Sequence, residues 1–283
     1  MLDKSSFKCS RGYKMYQFIR NTLILAAVLP ALAAAAGLRE LSTDRPDQTE
    51  SPYTVDAGRW QVELDVANLT LDHDTHGGAD IRTRAWSLGA LNLKAGLTSR
   101  MDLQMLFDTH LDVRVEDRRT GAVVRASGFG DITTRLKINV WGNDGGETAL
   151  AVMPYVKWPL SASDLRNGET EGGIIIPFAM ALPGGWSLGA MTEVDWVSDG
   201  AGGYDTEWLN TITVSRDLGS RWGGYIELAA LTGDADGFRW QGQLDIGFTY
   251  ALGEHEQLDF GCNFGITDAA PDYQPFLGYS RKF

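Results

Sequence analysis

The sequence predicts an all-β fold: a transmembrane, antiparallel, up-and-down β-barrel of about twelve strands, preceded by a signal peptide. Three observations predict it. Segments of roughly ten residues alternate apolar and polar side chains along most of the chain. The connections between those segments are alternately short and long. One long apolar run stands near the N-terminus, behind a basic stretch.

Composition leaves room for this fold and removes others. The chain has 283 residues, 43% hydrophobic and 10% aromatic, which excludes wholesale disorder. Its 37 acidic and 25 basic residues give a formal net charge of −12, which argues against a nucleic-acid partner. The mean hydropathy is slightly negative. That excludes a polytopic helical membrane protein but not a barrel, whose strands average a lipid face with a water face.

The apolar run covers 22–36 (TLILAAVLPALAAAA) and follows Lys4, Lys8, Arg11, Lys14 and Arg20. It ends in small residues that offer an A-x-A cleavage site at 34–36, so 1–36 reads as a secretory signal peptide, with Met1 or Met15 as the start. An anchor helix is the alternative, but the run is short for a span and contains Pro30. Cleavage would remove five basic residues and Asp3, shifting the formal charge from −12 to −16. Cys262 would remain alone, so packing and strand ladders must hold the fold. The expected compartment is the bacterial outer membrane, with 37–58 a periplasmic lead-in or partial plug and 59–283 the barrel.

The strands are expected, in order, at 59–70, 82–97, 100–113, 129–142, 147–158, 172–182, 185–197, 205–217, 221–231, 238–251, 256–266 and 274–283. The third shows the pattern well: Met101, Leu103, Met105, Phe107, Leu111 and Val113 share one face, and Asp102, Gln104, Asp108 and Asp112 the other. In the fourth, Ile132, Leu136, Ile138 and Val140 oppose Thr133, Arg135, Lys137 and Asn139. Trp240, Leu244, Ile246 and Phe248 oppose Gln241, Gln243 and Asp245 in the tenth. The sixth, GGIIIPFAMAL, alternates poorly, and Pro177 is awkward in a closed ladder.

Short turns are expected at 97–100, 142–146, 183–185, 217–221 and 252–255, and longer loops at 71–81, 116–128, 159–171, 198–204, 232–237 and 267–273. This sorting suits short periplasmic turns and longer extracellular loops. Trp60, Trp141, Trp158, Trp186, Trp196, Trp208, Trp222 and Trp240 fall near strand ends, where two interfacial girdles would lie. The last strand carries Leu277, Tyr279 and Phe283 on one face. A terminal aromatic such as Phe283, with Tyr279, is the expected sorting signal for the barrel insertion machinery.

Five stretches carry a family resemblance: LSTDRPDQTESPYTVDAGRWQVELD (41–65), GFGDITTRLKINVWGNDGG (128–146), MPYVKWPL (153–160), LPGGWSLGAMTEVDW (182–196) and LDFGCNFGITDAAPDYQPFLGYSRKF (258–283). They resemble the outer-membrane transporters grouped under "MetA-pathway of phenol degradation". The resemblance implies an outer-membrane barrel with a transport role, and brings no catalytic residue with it. Its most specific parts are the opening motif, with Thr43, Asp44, Arg45, Pro46, Asp47, Glu50, Ser51 and Pro52, and the closing G-x-T-D-A-A-P-D segment at 265–272. Physically, the two prolines exclude regular structure there, and the charges can pair with each other or with the lumen.

If apolar faces meet lipid, Asp65, Asp102, Asp108, Asp112, Glu193, Asp195, Asp245 and Asp259 line the interior, with Arg135, Lys137 and Arg239 as basic partners. Twelve strands lie between the filled eight-stranded barrel and the open sixteen-stranded porin. The expected function is a channel for small solutes, aromatic or hydrophobic compounds among them. A closed structural or surface-interaction barrel is the alternative, and a hydrolase at the outer rim a further one. The expected partners are outer-membrane lipid, the insertion machinery and a small-molecule solute. No cofactor, metal or catalytic residue is assigned. His110 falls on a polar strand face, His73 and His76 in a loop and His255 in a turn, so no clear strand presents an outward histidine for attacking lipid.

Overall fold

Period-two alternation becomes strand wherever it was read. The computed structural model describes residues 38–162, 164, 165 and 168–283; the signal peptide expected at 1–36 lies outside them. The strands are β1 (Trp60–Asp74), β2 (Ile81–Thr98), β3 (Met101–Asp117), β4 (Ala122–Gly128), β5 (Ile132–Trp141), β6 (Thr148–Trp158) and β7 (Glu171–Leu182), then β8 (Trp186–Ser198), β9 (Tyr204–Asp217), β10 (Trp222–Gly233), β11 (Gln241–Gly253), β12 (Glu256–Gly265) and β13 (Tyr273–Lys282). A single 3-10 turn, His76–Gly78, interrupts them among the described residues.

All pairings are antiparallel, and the sheet closes where β1 meets β13 with Gln61 opposite Lys282. Closure removes the exposed edges that an open sheet would carry into the bilayer. β4 and β5 share one position in the ring. The outer part of β3, from Leu111, pairs with β4, and its inner part, to Phe107, pairs with β5. Thirteen segments therefore build twelve staves.

Two loop expectations are corrected. The expected long loop at 116–128 is instead a β3–β4 hairpin, whose turn is fixed by the Thr120 hydroxyl donating to Asp117 (2.8 Å) and the Arg119 N–H to the same carboxylate (2.9 Å). The first loop is shorter than expected, because β1 and β2 stay paired out to Asp74 and Ile81. The short turns, at 99–100, 142–147, 183–185, 218–221 and 254–255, all lie at the end where β1 begins, here called the inner end.

Pro177 is accommodated inside β7. It faces Met191 on β8, while the β6–β7 pairing skips from Leu150–Phe178 to Met153–Ile175, where the missing N–H would have donated. The poor alternation of β7 has a related cause. Ile175 and Met153 are buried on the lumen wall with Met191, so this wall is apolar on both faces.

Elsewhere the molecule is polar inside and apolar outside. Glu63, Lys94, Asp102, Lys137, Glu227, Asp245 and Asp259 are buried, while Leu103, Met105, Ile212, Ile226, Leu228, Phe248 and Leu277 are exposed. Such a surface is stable only against hydrocarbon. The tryptophans divide by end: Trp60, Trp141, Trp186 and Trp222 begin or end strands at the inner end, and Trp158, Trp196, Trp208 and Trp240 lie toward the outer one, all exposed. Leu228 sits midway along β10. Leu228→Arg should cost about 2–4 kcal/mol, the figure for a charge near the bilayer midplane, read from urea unfolding in lipid vesicles.

Candidate functional site

The interior of the ring is occupied by the segment that precedes β1. Pro46 and Pro52 keep 39–58 out of any ladder, so its polar backbone groups must find side chains. The strands supply them. Arg39 donates to Asp56 (2.6 Å) and to the Thr54 carbonyl (2.9 Å). Lys282 at the inner end donates to the carbonyls of Arg39 (2.5 Å) and Glu40 (2.9 Å). From there the chain crosses the lumen and returns.

Asp44 is its central charged anchor. Its carboxylate pairs with Lys94 on β2 and with Lys137 on β5 (2.5 Å), and its N–H donates to Glu63 on β1 (3.1 Å). Lys94 also pairs with Glu63. Burial alone would raise the Asp44 carboxyl; Lys137 and Lys94 outweigh it and hold that carboxyl far below the usual carboxylate range. Arg45 pairs with Asp259 on β12 (2.9 Å) and Asp65 on β1 (3.3 Å), with its guanidinium 5.7 Å from the Phe276 ring centre.

The far side of the loop is held by β10 and β11. The N–H groups of Gln48 and Thr49 donate to Glu227 (2.7 and 2.9 Å), and the Gln48 amide donates to Gln243 and Asp245 (both 2.7 Å). Glu50 pairs with Arg135 on β5. On the return, Asn139 donates to the Pro52 carbonyl (2.9 Å), Asn143 accepts from the Thr54 N–H (2.9 Å) and Asp102 from the Val55 N–H (2.9 Å). Gly96 on β2 permits this exit. A Cβ there would stand 2.0 Å from the Asp56 carbonyl oxygen, and the obstacle is backbone that cannot turn aside.

The residues singled out from sequence fall into three groups. Asp65, Asp102, Arg135, Lys137, Asp245 and Asp259 touch the segment directly, as given above. Asp108, Glu193 and Asp195 stay on strands: Ser87 donates to Asp108 (2.8 Å), and the Tyr155 hydroxyl donates to Asp195, beside Glu193. Asp112 and Arg239 are not brought to this cluster. Asp112 is exposed on the outer half of β3, and Arg239 lies in the loop before β11, paired with Asp74 (2.9 Å). In the opening motif, Thr43 donates to the Arg45 carbonyl (2.5 Å), the Pro46 carbonyl accepts from Tyr225 (3.3 Å), and the Ser51 N–H donates to Asp44 (3.1 Å). Tyr279 donates to Glu256, and Phe283 pairs through its N–H with the Trp60 carbonyl (2.8 Å).

Lys94 and Asn143 were missed by the sequence reading. The signal for Lys94 was present, since Asn92 and Lys94 alternate with Leu91 and Leu93. Asn143 lies in a turn and had none.

Two cavities flank the segment. One, of about 290 Å³, is bounded by Asp44, Arg45 and Glu50 and by Leu91, Phe107, Asp108 and Arg135 of the strands. The other, of about 230 Å³, lies toward the inner end, against Pro46, Asp47, Tyr225, Arg216 and Gln257. Arg45 is the one residue that lines both.

The protein family described as "Putative MetA-pathway of phenol degradation" matches residues 43–283. Among solved structures, an outer membrane channel from Pseudomonas putida F1 superposes with a TM-score of 0.66 at 15% identity, covering 84% of this chain and 99% of that one. The NanC porin gives 0.51 at 10% identity, covering 79% and 100%. The translocator domain of the autotransporter NalP from Neisseria meningitidis gives 0.52 at 9%, covering 96% of each chain. At these identities the likeness is one of fold, that of the outer-membrane barrel. No curated protein matches the sequence.

Proposed function

We propose, from the premise that this chain belongs to the family described as "Putative MetA-pathway of phenol degradation", that it is an outer-membrane channel for small solutes, hydroxylated aromatic compounds among them. The observation that carries the reading is the pair of cavities meeting at Arg45. A packed structural interior would leave no such space on both sides of one side chain.

The lining supports the solute class. Ala90 and Leu106 give the larger cavity a small apolar wall, while Arg45, Arg135 and Asn92 give it polar contacts. A neutral ring bearing hydroxyl groups uses both. The acids that line the cavity, Asp44, Glu50, Glu63, Asp65, Asp108 and Asp131, outnumber Arg45 and Arg135 and disfavour an anion. In this reading 39–58 is a constriction, Arg45 is the contact that a passing solute must displace, and the chain does no catalysis.

The hydrogen bonds that tie 39–58 to the wall favour a second reading, a closed barrel without transport. Planar-bilayer currents with added solute separate the two. Phenol at millimolar concentration should interrupt the current of the purified protein, and benzoate at equal concentration should do so less. Current unaffected by either solute removes the aromatic assignment; absence of any current leaves the closed barrel.

A further inference from the structure

On the outward face at the outer end, arginines stand side by side. Arg84 of β2 is directly opposite Arg114 of β3, and Arg114 is directly opposite Arg125 of β4. Like charges in such cross-strand pairs repel. The face they occupy follows from the register. Thr70 points into the lumen, because Gln274 donates to it (3.2 Å) and Gln243 joins Gln274 to Gln48 of the interior segment. Leu71 and His73 therefore point outward, and they lie opposite Arg84 and Arg82.

The height is that of lipid headgroups. Arg84 is fourteen residues from the inner end of β2 at Thr98. At about 3.3 Å per residue and a tilt near 40°, it stands roughly 35 Å along the barrel axis, beyond an apolar band about 25 Å tall. Trp86 sits just below, its ring centre 5.5 Å from the Arg84 guanidinium.

Of the neighbouring acids, Glu116 pairs with Arg114 inside the row (2.8 Å), Asp80 with His73 (2.7 Å), and Asp117 with its own turn; Asp72 and Asp272 also line the groove beside the row. Asp112 lies opposite Trp86, one step nearer the bilayer. Among the described residues Arg82, Arg84 and Arg125 have no ion-pair partner, in a chain whose acids exceed its bases by twelve. A groove of about 430 Å³ runs beside the row, with Leu71 and Tyr273 as apolar wall and Arg82, Arg84 and Arg114 along it.

We infer that this groove binds a phosphate-bearing glycolipid of the outer leaflet, with the phosphate in the forks of Arg84, Arg114 and Arg125 and an acyl chain against Leu71 and Tyr273. A guanidinium fork matches a phosphate in two hydrogen bonds, and the anion relieves the repulsion within the row.

The test uses purified full-length protein in detergent and fluorescent lipid A, whose sugar carries two phosphates. Binding should weaken at least tenfold in the triple variant Arg84→Gln/Arg114→Gln/Arg125→Gln, and to a similar degree when dephosphorylated lipid A is the probe. The single variant Arg125→Gln, on the hairpin outside the ring, guards against misfolding and should weaken binding severalfold. Gel-shift heat modifiability and single-channel current should stay unchanged in both. Equal binding of phosphorylated and dephosphorylated lipid, or undiminished binding by the triple variant, would overturn the inference. Displacement of lipid A by an equal concentration of inorganic phosphate would also overturn it, by identifying a free-anion site.

Discussion

Asp44→Ala should destabilise the folded protein by about 3–5 kcal/mol, the usual cost of removing one partner from a buried charge cluster, and should raise its ion current. Asp44 is the shared counter-charge of Lys94 and Lys137, both buried. Without it Lys94 retains Glu63, but Lys137 loses its paired carboxylate. The two ammonium groups then recover hydration only if 39–58 shifts and water enters, which widens the passage. Urea unfolding in vesicles reads the first effect and planar-bilayer conductance the second.

Acidification will not reproduce this variant at ordinary pH. The Asp44 carboxyl lies below its unfolded value, so its contribution is complete above about pH 4 and fades only as pH falls toward the depressed folded value. A current that opened between pH 7 and pH 5 would have to come from other groups. Comparing wild type and Asp44→Ala across that range separates the contributions.

Much of this architecture can be read from alternation alone, and particular residues show where that reading stops. Glu63, Asp102, Asp245 and Asp259 stand on the polar face of strict period-two segments and are buried in the lumen. Asp112 belongs to an equally regular stretch but is exposed. The cause lies at Gly89, opposite the third strand, where φ is +69°. There the register holds, with Asp108 opposite Ala90 and His110 opposite Leu88, but Ser87 now turns to Asp108 while Leu88, His110 and Asp112 are exposed, so the inward and outward sets exchange. An unbroken alternation cannot announce such a swap; a lone glycine within a strand was the only hint.

The β3–β4 hairpin escaped for a different reason. Its strand Ala122–Gly128 pairs on one side only, so its solvent-facing residues resemble a polar loop. In the opening motif, residue types disclosed that charges would need partners, and the prolines that no ladder would form. Which strand supplies each partner depends on contacts across long stretches of sequence, such as Arg45 with Asp259 and Gln48 with Asp245. No local pattern encodes those.

Deleting 39–57 should have the largest effect on transport. The deletion removes Arg45 from between the two cavities and returns Glu227, Asp245, Asp259, Lys94 and Lys137 to water. The strand ladders, including closure of β1 on β13, do not involve the deleted residues. The barrel should therefore still form, with lower stability and a wider bore.

Single-channel conductance of the full-length protein beside the 39–57 deletion, in planar bilayers at equal salt, tests the central claim most directly. A small, resolvable current for the full-length protein, rising severalfold in the deletion, is the predicted result. Equal currents, or none from either folded protein, would contradict a channel constricted by its own N-terminal segment.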